Sequence, residues 1–322
     1  MDTNPTAYQK ISNEWLKKLI NDNDVYTVFH YTSSDGFQGI MESKKIRFKD
    51  RFFMNDKSEG YYALELLKEY YSSVFPAEFQ DDKTKNELLD VIGNFIDNFQ
   101  TKIPFKVYAA CFSINGDSLP MWNYYTKDQH HEGCNLCVNS LELSNSIIEK
   151  MWPNNNLHPY IFGHKVIYTI SEQIEILKAF FDEIYKAIRE DISYKKEFFD
   201  VIAKRTFMNR FESILERAAF IGAILKHPDF AFEEEYRIFI YPFDNDGKLY
   251  MFENGDVSRK FVEADGLLKP QIDIPFELSV ITKITFSPTI TQESEDRIKK
   301  MVHDEETMEN AEFDKSIIPV RF

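Results

Sequence analysis

The stretch from Phe232 to Phe243 constrains the fold of this 322-residue chain more than any other. Three consecutive glutamates lie near its start and a proline near its end, and between them every residue except Arg237 is aromatic or β-branched. That composition predicts a strand. With a side-chain period of two, Glu235, Arg237 and Phe239 share one face. Two interpretations stay open: a solvated strand entrance whose Glu and Arg pair with each other, or a functional carboxylate on a strand.

Apolar patterning predicts the remaining elements. Short apolar runs predict strands at 25–32, 46–48, 107–113, 133–140, 161–170, 280–286 and 317–322. Helical spacing predicts helices at 7–24, after a cap at Ser33 or Ser34, after Gly60, at 81–101, at 119–125, throughout 172–225, and after a capping box at Thr289 and Gln292. No repeat or low-complexity linker interrupts the pattern. The sequence therefore predicts one α+β domain over 1–322, with a helical insertion at about 172–225.

The charge balance bears on the partners of the chain. The net charge is −15, and this global field opposes a sequence-independent grip on a phosphate backbone. A local basic groove remains compatible with that sum. Hydrophobic residues make up 43% of the chain, including 29 Phe and 17 Tyr, which is enough for a substantial core.

The location of the protein is predicted from three negative observations. No stretch approaches 18 consecutive apolar residues, so we expect no membrane span. The N-terminus lacks a basic region followed by an apolar one, so we expect no secretory signal. Three cysteines cannot all pair, which favours a reducing environment. The predicted location is the cytoplasm, with no membrane partner.

A metal site is suggested by the run His130-His131-Glu132-Gly133-Cys134-Asn135-Leu136-Cys137. Zinc accepts imidazole and thiolate ligands, and Cys-x-x-Cys is a common half of such sites. However, the predicted strand at 133–140 would point Cys134 and Cys137 to opposite faces. No second ligand pair lies at a suitable spacing, since His158 and His164 lie within or beside their own strand. We therefore predict no metal. Phosphate-loop and nucleophile-elbow motifs are also missing.

His30 lies where a predicted strand end meets a predicted helix start. A histidine in that position can be a satisfied core residue. Alternatively, it can donate a hydrogen bond to a ligand that lies across the strand ends. Both interpretations are kept.

Six short motifs follow one another in an order that resembles an uncharacterised bacterial family of unknown function. They are His30-Tyr31-Thr32, Met54-Asn55-Asp56-Lys57-Ser58-Glu59, Cys111-Phe112-Ser113, Met121-Trp122-Asn123-Tyr124-Tyr125, Glu233-Glu234-Glu235-Tyr236-Arg237 and Ile318-Pro319-Val320-Arg321. Met54 replaces the aromatic residue of the family pattern. The resemblance covers nearly the whole chain.

That motif pattern is similar, more distantly, to ADP-ribosyltransferases of the histidine–tyrosine–glutamate type. The resemblance implies a mixed, split β-sheet core of that type, flanked by helices, and NAD as the substrate. It implies catalytic roles for His30, Tyr125 and Glu235, with Tyr124 as the alternative tyrosine. It also implies NAD contacts from His30, Tyr31, Thr32, Ser113, Tyr124, Tyr125 and Arg237.

The implied reaction has a physical rationale. Cleavage of the nicotinamide–ribose bond develops positive charge on the ribose, as in glycoside cleavage. A fixed carboxylate stabilises that charge more in the transition state than in the ground state, and it can accept the proton of the attacking group. The resemblance thus implies ADP-ribosyl transfer to a protein or nucleic acid, in a toxin or an antiviral effector. The alternatives are an NAD hydrolase and a non-catalytic binding module of a defence or toxin–antitoxin operon, with an antitoxin as its partner. We expect a cleft that brings His30, Tyr125 and Glu235 together.

Overall fold

The computed structural model describes residues 25–50, 54, 62–63, 65–66, 68–69, 90, 93–94, 97, 107–126, 132–151, 160–190, 221–241, 259–264 and 266–320. The predicted helix at 7–24 and most of the one at 81–101 lie outside these residues.

Ten strands are described, and they form one sheet. They are β1 (Thr27–Ser33), β2 (Lys45–Asp50), β3 (Tyr108–Ser113), β4 (Gly133–Asn139), β5 (Tyr160–Lys165), β6 (Glu235–Tyr241), β7 (Arg259–Ala264), β8 (Leu267–Pro275), β9 (Ile281–Phe286) and β10 (Glu312–Lys315). The order is β10-β9-β4-β1-β3-β2-β8-β7, with β6 beside β3 and β5 beside β6. Because β10 and β9 are parallel and the other paired strands antiparallel, the sheet is mixed, as predicted.

Five α-helices have bounds within the described residues. They are α1 (Ser34–Ser43), α2 (Leu119–Tyr125), α3 (Ser140–Met151), α4 (Ile170–Glu190) and α5 (Gln292–His303). The chain thus combines helices with a mixed sheet, which confirms the predicted class at that level. Ser33 caps α1, since its hydroxyl accepts a hydrogen bond from the backbone N–H of Gly36. The cap of α5 is Thr291, and the predicted capping box at Thr289 was therefore wrong.

The sheet divides at β3. Strand β6 pairs with the whole length of β3, so β1 and β2 must share its other edge. β1 pairs there at one end, through Phe29 and Ser113, and β2 at the other end, through Lys49 and Ala109. Between these two points β1 and β2 part. We call the gap opposite Ala110–Phe112 the fork.

The main apolar core lies on one face of this sheet. Alternate residues of β6, Tyr236, Ile238 and Ile240, pack there with Phe112 of β3 and Phe37 of α1. The predicted period of two in β6 is therefore confirmed. The opposite face of β6 carries Glu235 and Arg237, and the same alternation places Cys111 and Ser113 of β3 on that face.

The chain forms two compact units. The second unit, Asn23–Phe53, Phe105–Lys165 and Phe230–Phe322, contains all ten strands. In the first unit, Gln173 of α4 donates hydrogen bonds to the carbonyls of Ile167 and Lys226 and accepts one from Tyr62. Of the predicted helical block at 172–225, α4 is observed, and residues 191–220 lie outside the described part. At its end, Gly222–Ile224 is a 3₁₀ turn rather than an α-helix.

Several predicted strand boundaries were wrong for identifiable reasons. β6 begins at Glu235, because Pro228–Glu233 forms a 3₁₀ helix. β5 ends at Lys165 rather than continuing to 170. The last strand is β10, and the predicted strand at 317–322 is not formed by residues 317–320. Asp117 accepts hydrogen bonds from the hydroxyl of Ser316 and the N–H of Ile317, which takes the chain out of the sheet.

The hairpin of β7 and β8 was missed by the sequence patterning. Its strands mix charged and apolar residues and contain Pro270, which obscures a period of two. Gly266 has a φ of +74°, so the turn between the strands requires a residue that tolerates left-handed backbone. Among the described residues, no helix combines the length and apolar composition needed to cross a membrane.

Candidate functional site

A cleft of about 280 Å³, part of it open to solvent, lies at the fork. Its lining comes from β1, β3, α2 and the entrance of β6, and consists of Phe29, His30, Tyr31, Cys111, Phe112, Met121, Tyr125, Glu233 and Glu235. Phe112 belongs to the core face of the sheet, whereas Glu235 lies on the other face. The lining of the cleft therefore includes residues from both faces of the sheet, at the point where β1 and β2 separate. The expected meeting of His30, Tyr125 and Glu235 in one cleft is observed, whereas their catalytic roles stay predictions.

Glu235 is fixed by Arg237. The Nε and Nη2 of Arg237 each donate to one carboxylate oxygen of Glu235, both at 2.8 Å. The side chain of Arg237 is fully buried and that of Glu235 is 5% exposed. Residues two apart on a strand share a face, so β6 itself brings the two groups together. A bidentate pair of this kind fixes the carboxylate in one orientation.

Glu233 also lines the cleft and is buried, although a glutamate in a run of three is usually a surface charge. The 3₁₀ helix before β6 turns this residue inwards. Ser113 holds the turn, because its hydroxyl donates to the carbonyl of Glu233 at 2.9 Å. The same hydroxyl accepts from the N–H of Asn115 at 3.1 Å. Ser113 thus positions the cleft wall and does not line the cleft.

Glu234, between the two cleft carboxylates, is exposed. Its φ is +43°, a left-handed conformation that costs a non-glycine residue free energy. Hydrogen bonds compensate for this strain. The carbonyl of Glu234 accepts from the N–H of Ile114 at 2.9 Å, and its carboxylate accepts from the side chain of Asn115 at 2.8 Å. The strained residue lets Glu233 and Glu235 both face the cleft.

His30 bonds to the edge of β3 at the fork. Its Nδ1 lies 3.2 Å from the carbonyl oxygen of Cys111. Burial lowers the pKa of His30, and the charges of Lys49 and Arg47 lower it further, against the raising effect of the Cys111 hydrogen bond. The ring is therefore neutral near pH 7. Because a carbonyl can only accept, Nδ1 carries the proton and Nε2 is an acceptor. We expected His30 to donate a hydrogen bond to a ligand. In this tautomer the free Nε2 would instead accept a hydrogen bond from a ligand.

Tyr125 places a phenol close to the cleft carboxylates. Burial raises its pKa well above the usual value, and the charges of Glu233, Cys111 and Glu235 raise it further, while Arg237 lowers it. The phenol is therefore protonated across the physiological range. It supplies a ring face and a hydrogen-bond donor inside the cleft.

Tyr31 forms a fixed part of the wall. Its hydroxyl donates to the carbonyl of Asn115 at 2.7 Å and accepts from the N–H of Ser118 at 3.1 Å. Its ring meets Trp122 edge to face, with centroids 4.6 Å apart. Burial raises the pKa of Tyr31. These contacts tie β1 to α2, the helix that carries Tyr125.

Four residues with predicted NAD contacts do not line the cleft. Thr32 points towards α1, where its Oγ1 would collide with a Cβ added at Gly36. Ser113 and Arg237 lie behind Glu233 and Glu235, as described above. Tyr124 is 46% exposed and stacks on Phe232, with ring centroids 5.5 Å apart.

No group of three or more potential metal ligands lies within the residues that the structure describes. Cys134 and Cys137 are buried in β4, and burial raises the pKa of Cys134. None of the three cysteines, including Cys111 in the cleft, forms a disulfide. His130, His131 and His158 lie outside the described residues.

Comparison with known proteins gives one family match. Residues 121–238 match the model of a family described as "Protein of unknown function (DUF2971)". The matched segment is little more than a third of the chain. It supports the predicted likeness to an uncharacterised family in that segment. The comparisons give no likeness to ADP-ribosyltransferases, and no curated protein or solved structure matched the chain.

The matched segment contains Met121, Tyr125, Glu233 and Glu235 of the cleft, while the residues from β1 and β3 precede it. The sequence alone predicted no site role for Glu233, Cys111, Met121 or Phe29. A signal was present for three of them, because Glu233, Cys111 and Met121 belong to the short motifs of the family pattern. Phe29 carried no such signal.

Proposed function

We propose that this protein binds NAD with its nicotinamide end in the cleft and transfers ADP-ribose to a macromolecular acceptor. The observation that carries the proposal is the meeting of His30, Tyr125 and Glu235 in a single cleft at the fork. A role as a toxin or antiviral effector would follow from the modification of such an acceptor.

The charge of the cleft suits this reaction. Two carboxylates, Glu233 and Glu235, line it, and the guanidinium of Arg237 contacts Glu235 from behind the lining. The nicotinamide ring of NAD is cationic, and positive charge moves onto the ribose as the glycosidic bond breaks. A carboxylate that is already oriented, as that of Glu235 is, stabilises this charge without reorganisation.

The aromatic and polar groups suit the nicotinamide end. Tyr125 and Phe29 line the cleft with aromatic rings, on which a planar heterocycle can pack. The neutral His30 offers Nε2 as an acceptor for a carboxamide N–H or a ribose hydroxyl. The cleft is small and partly open to solvent. Only the nicotinamide end of the dinucleotide would enter it, and the remainder would lie outside its open mouth.

The transfer step exchanges one bond at the ribose C1′ for another. The bond between C1′ and the nicotinamide nitrogen breaks, and its electron pair leaves on nicotinamide, which becomes neutral. An oxygen or nitrogen of the acceptor bonds to C1′. Its proton passes to Glu235 and then to water. With water as the acceptor, the same step is NAD hydrolysis.

One observation favours a non-catalytic alternative. Both oxygens of Glu235 accept hydrogen bonds from a fully buried guanidinium, which is also the geometry of a purely structural ion pair. In that case the cleft would bind a ligand or a partner without chemistry.

Incubation of the purified protein with NAD labelled in its adenylate part, in the presence of cell extract, tests the proposal. We expect nicotinamide release and label on a macromolecule. Glu235→Gln should lower the rate by about 10²–10³-fold, the usual effect of removing one transition-state contact. Glu234→Gln is the matched control, since it changes the exposed neighbour and keeps the acceptor for Asn115.

Three outcomes separate the alternatives. Nicotinamide release without labelled acceptor identifies a hydrolase. NAD binding without release identifies a binding module. If NAD neither binds nor reacts, the proposal is wrong.

A further inference from the structure

The acidic chain carries a local concentration of positive charge on one wing of the sheet. Along β2, Ile46 and Phe48 pack into the main core, so Lys45, Arg47 and Lys49 alternate onto the other face. That face is the one that carries Glu235 and Arg237.

The neighbouring strands add two lysines to this face. Lys49 lies opposite Gln271 of β8, and Gln271 lies opposite Lys260 of β7. Residues opposite each other share a face, and Lys269 is two residues from Gln271. We call this group the basic strip; it consists of Lys45, Arg47, Lys49, Lys260 and Lys269.

The strip is solvent-accessible and contains one carboxylate among the described residues of these strands. Asp273 bonds to both Arg47 and Lys260, at 3.1 and 3.2 Å. The side chains of Arg47 and Lys260 remain 55% and 59% exposed. The described residues of these three strands thus place five cationic side chains and one carboxylate on this face, in a chain whose net charge is −15.

The strip adjoins the cleft. Lys49 and Arg47 lie close enough to His30 for their charges to lower its pKa. Lys49 pairs with Ala109 on the same edge of β3 whose Cys111 carbonyl bonds to His30. Positive charge thus runs from β7 across β8 and β2 to the edge of the fork.

A partly exposed aromatic pair adjoins the cleft as well. Tyr124 stacks on Phe232 with an interplanar angle of 22°, and 46% of Tyr124 is exposed. Tyr124 precedes Tyr125 in the chain, and Phe232 precedes Glu233, so the pair is held beside two residues of the cleft lining. Aromatic rings near a cationic groove are the combination that binds single-stranded nucleic acid.

We infer that the acceptor is a single-stranded nucleic acid, whose phosphate backbone lies on the basic strip while one of its nucleotides lies at the open mouth of the cleft. This inference rests on the proposed transfer reaction. Alternate residues of β2 are about 6.6 Å apart, a spacing that successive phosphates of an extended strand can match. A base can meet the ribose of NAD at the mouth of the cleft only when that base is unstacked from its neighbours, which favours a single strand over a duplex.

The test measures the binding of a labelled single-stranded oligonucleotide of mixed sequence. Fluorescence anisotropy reports the binding, and NAD is left out of the assay. Between about 50 and 200 mM salt, neutralisation of about four phosphates gives a log–log slope of about −3. The triple variant Lys45→Gln, Lys260→Gln, Lys269→Gln should weaken binding about 10-fold and reduce the slope to about −1. It leaves Arg47 and Lys49 beside His30 unchanged, so the affinity for NAD, measured without oligonucleotide, should stay within about twofold.

The charge-matched control is Lys150→Gln, Lys178→Gln, Lys300→Gln, which removes three exposed lysines elsewhere. It should bind within about twofold of the unchanged protein, and a duplex of the same sequence should bind more weakly than the single strand. The inference is overturned if the unchanged protein does not bind at 50 mM salt, or if the control loses as much affinity. It is also overturned if a phosphorylated peptide binds and the oligonucleotide does not.

An increased KM for NAD in the strip variant, without oligonucleotide binding, would assign the strip to the pyrophosphate of NAD instead. Because oligonucleotide binding is measured without NAD, a failure of the proposed transfer reaction is seen separately.

Discussion

Arg237 donates to both carboxylate oxygens of Glu235 at 2.8 Å, and both side chains are buried beside the cleft. Their separation by two residues on β6 makes this contact a property of the strand. The pair therefore supports the fold and orients the carboxylate on which the proposed reaction depends.

Removal of Arg237 should be strongly destabilising. Arg237→Met leaves the Glu235 carboxylate buried without its bidentate partner, which typically costs about 3–5 kcal/mol of unfolding free energy. The double variant Arg237→Met, Glu235→Leu should recover much of that loss. Urea unfolding followed by circular dichroism measures both. Arg47→Met, which removes an exposed partner of Asp273, should cost under about 1 kcal/mol. A small loss in Arg237→Met would contradict the interpretation of a tightly coupled pair.

Stability should fall as the pH decreases below about 6.5, partly because of His30. Its pKa is lowered in the folded state, so the unfolded chain binds more protons in this range. The contribution of His30 to the free energy of unfolding is fully present above the pKa of His30 in the unfolded chain. It is lost as the pH falls towards the pKa of His30 in the folded protein. His30→Asn retains a donor for the Cys111 carbonyl and should reduce this pH dependence. The measurement compares unfolding free energies above and below pH 6.5.

The control for the pH experiment is His303→Asn on α5, since His303 is exposed. It should keep the pH dependence of the unchanged protein. Equal slopes for His30→Asn and the unchanged protein would show that His30 does not couple folding to protons.

Tyr125 and Tyr124 should differ in their effect on NAD consumption. Tyr125 is a protonated phenol inside the cleft, whereas Tyr124 is stacked on Phe232 outside its lining. Tyr125→Phe removes the donor and should lower nicotinamide release by about 10-fold or more. Tyr124→Phe keeps the stack and should change it by less than about twofold. Because the pKa of Tyr125 is raised, its ionisation should not reduce activity below pH 10. Equal rates of nicotinamide release in the two variants would contradict a role of the Tyr125 hydroxyl in the reaction.

Ser113 should matter for stability although it does not line the cleft. Its hydroxyl bonds to the carbonyl of Glu233 and the N–H of Asn115. Ser113→Ala leaves these backbone groups without that partner and should cost about 1–3 kcal/mol. Ser43→Ala is the matched control, since the Ser43 hydroxyl bonds to a helix carbonyl on an exposed surface. Thermal or urea unfolding of the two variants gives the comparison.

Part of the site could be predicted from the sequence because its determinants are local. The period of two in β6 placed Glu235 and Arg237 on one face, and the apolar run before Ser33 placed His30 on a strand. The polar residues flanking these runs also indicated where α1 begins. Such inferences need only the alternation of side chains and the capping of a helix.

The cleft itself was beyond local reasoning. Its position depends on β1 and β2 sharing one edge of β3, a pairing between residues far apart in the chain. The burial of Glu233 depends on a 3₁₀ turn held by Ser113, 120 residues away. The basic strip exists because three separate strands present their lysines to the same face. The net charge of the sequence concealed it.

The sequence by itself determined which side chains share a face of each strand and where carboxylate, phenol and imidazole groups occur along the chain. Only the tertiary structure decided which of those groups meet, which of them are buried, and which ring nitrogen of His30 carries the proton. The physical reason is that burial and hydrogen-bond partners are properties of the space between elements. That space is defined by long-range strand pairing, and the periodicity of a single segment contains no information about it.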